Sequence, residues 1–266
     1  MSERATRSAP PPLPMARLVV RTLCFALASG VAGWVLGRHG PAPEPPSTRS
    51  LPQVAADFAA LAGAIVEVAP PDPLHAGLAE WAAFETQLDL AFVRHGLALE
   101  VGREEQTVAA ARRFGRPVEV AALFDLLAEA SHRCDHRPRR AAATQVARAL
   151  DPEPERDALR AALLANGAAE VRLLCADAGP VPSSPRTSAL LGMALARIGE
   201  PLDVRATWES GALEWPDDTA LHLLLAWWLP ALDPPQVEAA RRHLEAARVR
   251  LPESRRIAEA LAALPR

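Results

Sequence analysis

The stretch "TSALLGMALARIGEPLDVRATWESGALEWPDD", residues 187–218, decides the fold. Apolar side chains recur at three- and four-residue spacing on both sides of Gly199-Glu200-Pro201. That spacing predicts two short helices joined by a glycine-proline turn, the second ended by Pro216. The same grammar extends outward in both directions. "PLHAGLAEWAAFETQLDLAFVRHG" (residues 73–96) has a proline start, an apolar stripe through Leu74, Leu78, Trp81, Leu88 and Phe92, and a glycine stop. "PVEVAALFDLLAEASHRC" from Pro117 repeats the plan, and "PRRAAATQVARAL" stops at Asp151-Pro152. "PERDALRAALLANG" starts at Pro154 and closes on Asn166-Gly167, a pair suited to a left-handed helix stop. The expected class is all-α, with ten or more helices on short loops arranged as an α-solenoid.

Whether the opening stretch is one unit of an array is a question of phase. The tetratricopeptide pattern spans about 34 residues and reads W-x2-L-G-x2-Y, then A-x3-F, then Pro. Here Leu191-Gly192 take the Leu-Gly places, Leu195 the next large apolar place, Trp208 the aromatic of the second helix and Pro216 the terminal proline, with small Gly211 between. Val204 stands where Ala is usual and should widen the helix crossing slightly. A second unit follows in phase through Leu225-Ala226, Leu229, Ala240, Leu244, Ala247 and Pro252, with a longer turn at "DPPQ" (residues 233–236) that costs little. "ESRRIAEALAALP" then supplies a terminal helix to cover the last unit's apolar face.

The region from "LDLAFVRHGLALEVGREEQTVAAARRFGRPVEVAALFDLLAEASHRC" through "ALDPEPERDALRAALLANGAAEVRLLC" and into these units resembles the C-terminal helical region of large bacterial serine/threonine protein kinases that carry tetratricopeptide repeats. The resemblance covers residues 88–252, with "DPEPERDALRAAL", "ALLGMAL" and "EAARRHLEAA" as its best-matching features. It implies an interaction or regulatory scaffold without chemistry of its own. The chain has no Gly-rich phosphate loop, no H-R-D and no D-F-G, so kinase activity is not inherited.

Upstream, "LVVRTLCFALASGVAGWVLG" (residues 18–37) is apolar over a length that, at about 1.5 Å per residue, matches the roughly 30 Å hydrocarbon core of a bilayer. Arg21 is placed to snorkel and Trp34 to sit at the far interface. A cleavable signal peptide with "ALASG" as its cleavage region is the competing reading. Arg4, Arg7, Arg17 and Arg21 flank one side and Arg38 and Arg49 the other, which predicts an N-terminus inside. The expected organisation is a tail over residues 1–16, a transmembrane helix over 17–37, a Pro-rich linker over 38–53, an irregular helical domain over 54–184, and repeats with a capping helix over 185–266. This places a single-pass protein in the bacterial inner membrane, with its helical body in the periplasm.

Half of the 266 residues are apolar, led by Ala and Leu, and there is no Tyr, which argues against a large sheet. The formal charge of −3 implies no general affinity for nucleic acid. All 29 basic residues are Arg, which reads as codon bias before function. Cys24, Cys134 and Cys175 make no disulfide framework, and Cys134 and Cys175 are expected as free thiols.

"HRCDH", residues 132–136, offers zinc-ligand types, with His132 and His136 on one face if the helix ran on, but no second pair closes a tetrahedral site. A polar helix end is the favoured reading, and no metal or cofactor is expected. Arg133, Arg137, Arg139 and Arg140 make a basic cluster that reads first as a solvated loop. Glu104, Glu105, Asp217 and Asp218 suit helix starts. Trp227 and Trp228 point about 100° apart on a helix, so one belongs to the core and the other to a concave face. The sequence therefore predicts a membrane-anchored binder of a protein or peptide and no enzyme. Its groove would be lined by the first helix of each repeat through Met193, Arg197, His222 and Trp227. The alternative is an envelope scaffold that self-associates as a homo-oligomer and has no groove ligand.

Overall fold

A computed structural model describes residues 51–68, 76–179, 181–231 and 235–265. The tail, the apolar segment of residues 17–37, Cys24 and nearly all of the linker lie outside them, as do Leu74 and Asp233-Pro234. The described residues form twelve α-helices and no strand, within one compact unit, Pro46–Arg266. Among them no helix is long and apolar enough to cross a membrane.

The helices are α1 (Leu51–Val68), α2 (Leu78–Arg94), α3 (Glu104–Arg112), α4 (Pro117–Arg133), α5 (Arg137–Leu150) and α6 (Pro154–Ala165). They continue as α7 (Ala168–Ala178), α8 (Pro185–Ile198), α9 (Pro201–Glu214), α10 (Thr219–Trp228), α11 (Val237–Arg250) and α12 (Arg255–Ala263). Proline opens α4, α6, α8 and α9, where its missing N–H is one the first turn leaves unpaired anyway. Asn166 at φ 56 and Gly199 at φ 80 take the left-handed conformation that ends α6 and α8. Pro138 opens α5 instead of ending α4, which stops at Arg133. The fold also departs from the sequence at its upstream edge: α1 begins at Leu51, inside the expected linker, and Leu78 is 58% exposed on the first turn of α2.

Neighbouring helices pack in sequence as pairs, α4 on α5, α8 on α9 and α10 on α11, and the pairs stack, with α8 also against α4 and α10. The apolar and small positions of the repeat pattern are buried: Leu191, Gly192, Leu195, Val204, Trp208 and Gly211 in the first unit, and Leu225, Ala226, Leu229, Ala240, Leu244 and Ala247 in the second; the prolines of the pattern, Pro216 and Pro252, are exposed. The glycines are small for a steric reason. A Cβ on Gly192 would fall inside the Trp208 indole, and one on Gly211 would meet Ser188 and stand 3.1 Å from Leu221 Cδ1. The apolar clusters run across residue 184: residues 61–150 form one core, and a second extends from Leu159 to Ala240. A third joins Leu223, Leu244 and Ile257, with Val66 of α1 packed against it. At that seam Ser254 Oγ donates to Glu67 at 2.6 Å, so the first described helix meets the last.

Candidate functional site

The stacked pairs leave one helix of each facing inward, and α1, α2, α4, α8 and α10 together line a groove of about 450 Å³. That volume falls within the roughly 300–1,000 Å³ usual for ligand sites. Its walls are Phe58 and Ile65 from α1, Trp81 and Phe84 from α2, and Leu123 and Leu126 from α4. Opposite them stand Ala189, Leu190 and Met193 from α8, and Leu223, Trp227 and Trp228 from α10. Trp81 and Trp228 are 4% and 2% exposed, and the indole N–H of each has no hydrogen-bond partner. A buried donor left unpaired costs about 1–3 kcal/mol, and both indole nitrogens are sealed from solvent within the wall.

The charged residues of the groove wall are paired with one another. Arg133 donates to Glu129 at 2.8 Å and lies 5.4 Å above the Trp81 ring. Arg186 pairs with Asp218 at 3.3 Å, and Arg250 with Asp217. At one side lies a buried network. Arg160 holds Asp125 through two hydrogen bonds of 2.9 and 2.8 Å, and Arg156 holds Asp151 through two of 2.6 and 2.7 Å. Arg156 also donates to Ser184 and Thr187 at the start of α8. This network bolts α4, the end of α5, α6 and α8 together. Burial lifts the Asp125 carboxyl above the usual carboxylate range, against the pull of Arg160. Burial also acts on Asp151, but hydrogen bonds from Arg156 and Arg160 outweigh it and hold that carboxyl low.

The four residues singled out from the sequence separate into three places. Met193 and Trp227 line the groove. Arg197 lies one turn beyond Met193 on α8, outside the groove lining, where it donates to Glu129 at 2.9 Å and to the Leu163 carbonyl at 3.1 Å. It ties α8 to α4 and lines only a side cleft of about 20 Å³. Burial works against the Glu129 carboxylate, but the Arg197 and Arg133 charges overcome it and keep it below its ordinary range. His222 sits away from the groove, 2.9 Å from the Pro216 carbonyl and 2.9 Å from His243 Nδ1. Burial and the neighbouring His222 push His243 down to about 4.

Groove residues that sequence reasoning missed are Trp81, Trp228, Phe58 and Phe84. Phe58, Trp81 and Phe84 carry no local signal, because the packing of α1 on α2 and of α2 on α4 brings them to the wall. In the basic cluster Arg137 pairs with Asp135, Arg139 with Asp89, and Arg140 caps α6 through the Leu163 and Leu164 carbonyls, while Arg139 Nε is buried without a hydrogen-bond partner. Cys134 and Cys175 are free thiols packed against different cores. Comparison with known protein families, with curated proteins and with solved structures gave no match, so the likeness to kinase C-terminal regions rests on the quoted residues alone.

Proposed function

We propose that the helical body is a binding module that captures an apolar peptide segment of a partner protein in the α1–α2–α4–α8–α10 groove. The observation that carries this reading is the groove itself, about 450 Å³, to which five helices contribute apolar side chains, Phe58, Phe84, Leu123, Met193 and Trp227 among them. A peptide brings the apolar side chains that such a surface takes, on a backbone that can follow the groove. The cations of the wall, Arg133, Arg156, Arg160, Arg186 and Arg250, already have carboxylate partners, which disfavours a charged ligand. The α8–α9 and α10–α11 pairs are read as tetratricopeptide-like units, a reading supported by the burial of the apolar and small pattern residues. Residues 17–37 would anchor the module in the bacterial inner membrane with the body in the periplasm, and no catalytic step is assigned to it.

The alternative is the self-associating scaffold. It draws support from α9, where Leu202 and Leu213 are 78% and 83% exposed. Site-specific photo-crosslinking in cells separates the two. Probes at Met193 and Trp227 should trap a discrete partner, and the adduct should disappear when Leu223→Arg fills the groove. Crosslinks that form only from Leu202 and Leu213, and only to copies of the same chain, would overturn groove capture in favour of the scaffold.

A further inference from the structure

Away from the groove, the turn between α4 and α5 makes a second constellation. Asp135 takes φ 56 there, a left-handed conformation uncommon outside glycine. The sharp turn sets Cys134 and His136 side by side and faces both toward α2. From α2 the Glu85 carboxylate, only 6% exposed, reaches in. One ligand atom from each of Glu85, Cys134 and His136 lies within 4.8 Å of the others. We propose that these three residues bind a zinc-class divalent cation, with a fourth position left to solvent.

The donor set fits that ion. A thiolate, an imidazole and one carboxylate suit borderline-soft zinc and disfavour magnesium or calcium, which take oxygen ligands. The charges close as well. Two anionic ligands neutralise a divalent ion, while the nearby Arg139 already pairs with Asp89. The carboxylate is oriented from behind: Ser131 Oγ donates to Glu85 Oε1 at 2.7 Å, leaving Oε2 against His136 Nδ1 at 2.7 Å. Arg139 Nε stands 3.5 Å from Oε1. Supporting contacts of this kind are what hold metal ligands in register.

Without an ion, burial and the adjacent Glu85 charge push the Cys134 thiol up to about 12. A divalent cation reverses that relation, because two neighbouring anions that repel each other both gain from it. His132, named with His136 in the sequence motif, takes no part. Its Nδ1 stands 3.0 Å from Arg140 Nη1, and Glu85 fills the place.

The test is titration of the detergent-solubilised full chain with Co²⁺ and then Zn²⁺, with absorbance and calorimetric readouts. One equivalent of Co²⁺ should produce a thiolate-to-metal charge-transfer band that Zn²⁺ removes. Cys134→Ser should abolish the band, His136→Ala should weaken Zn²⁺ binding more than about tenfold, and Cys175→Ser should leave both unchanged. Far-UV circular dichroism on each variant separates lost binding from lost fold. His136 is partly exposed, so its variant retains the test if Cys134→Ser misfolds. Absence of the charge-transfer band in the wild-type chain, or full Zn²⁺ affinity in folded His136→Ala, would overturn the site.

Discussion

The two larger cores are built on different principles. The first, over residues 61–150, is held by aromatic rings: Phe92 of α2 stacks on Phe124 of α4 at 4.8 Å, and Trp81 and Phe84, one turn apart on α2, meet edge-on at 5.8 Å. The second relies on backbones brought close by Gly192, Gly211 and Ala240, with Trp208 and Trp228 wedged between them in an edge contact of 5.7 Å. Close helix approach is a local instruction, written within one helix pair. Ring stacking between α2 and α4 is not, because either ring could have packed elsewhere. Between the cores lies the polar network of Asp125, Asp151, Arg156 and Arg160, which fixes α6 and α8 on α4 by direction, where apolar contact alone would leave the angle free.

The junction should therefore break the comparison most strongly. Arg160→Ala leaves the Asp125 carboxylate buried without its cation and should cost about 3–5 kcal/mol. Scanning calorimetry should then resolve two transitions in place of one. Replacing the pair with Asp125→Leu and Arg160→Met should recover most of the loss, since a well-packed apolar pair often equals a buried ion pair. A single unshifted transition in Arg160→Ala would show that the network does not couple the cores.

Within the second core, Gly192→Ala places a methyl against the Trp208 ring and should cost about 1–3 kcal/mol by urea unfolding. The indole fluorescence should change with it. At Gly63 in α1 a Cβ meets nothing within 4 Å, so Gly63→Ala should stabilise by about 0.5–1 kcal/mol. Equal effects at the two glycines would remove the steric basis of the difference.

The smallest effect should come from pH. His243 is held at about 4 in the fold, against an ordinary value near 6.5, so the unfolded chain binds the extra proton first. Its contribution is whole above about 6.5 and declines as pH falls toward 4. With solvent screening at this half-buried pair, the loss should be about 1 kcal/mol. His243→Gln should flatten that part of the stability profile. His132, also held near 4, acts in the same direction from the α4 side. Below this window the carboxyls of Asp151 and Glu129, held low by their arginines, take over the loss of stability.

The sequence by itself determined the helical class and the helix boundaries from 117 to 167, because proline, glycine and apolar spacing act within a few residues of each other. Met193 and Trp227 line the groove while Arg197 and His222 of the same two helices do not, so membership of the first helix of a pair did not decide the inner face. The tertiary structure decided the rest. Arg197 pairs with Glu129 and does not line the groove, because burying a guanidinium beside a carboxylate 68 positions away depends on how α8 crosses α4. Trp81 and Phe58 entered the groove because α1 packs on α2 and α2 on α4, contacts between helices that no single segment encodes. Glu85 joined Cys134 and His136 for the same reason: a ligand contributed from 51 positions away is set by packing, whereas two residues flanking a turn are set by the chain itself.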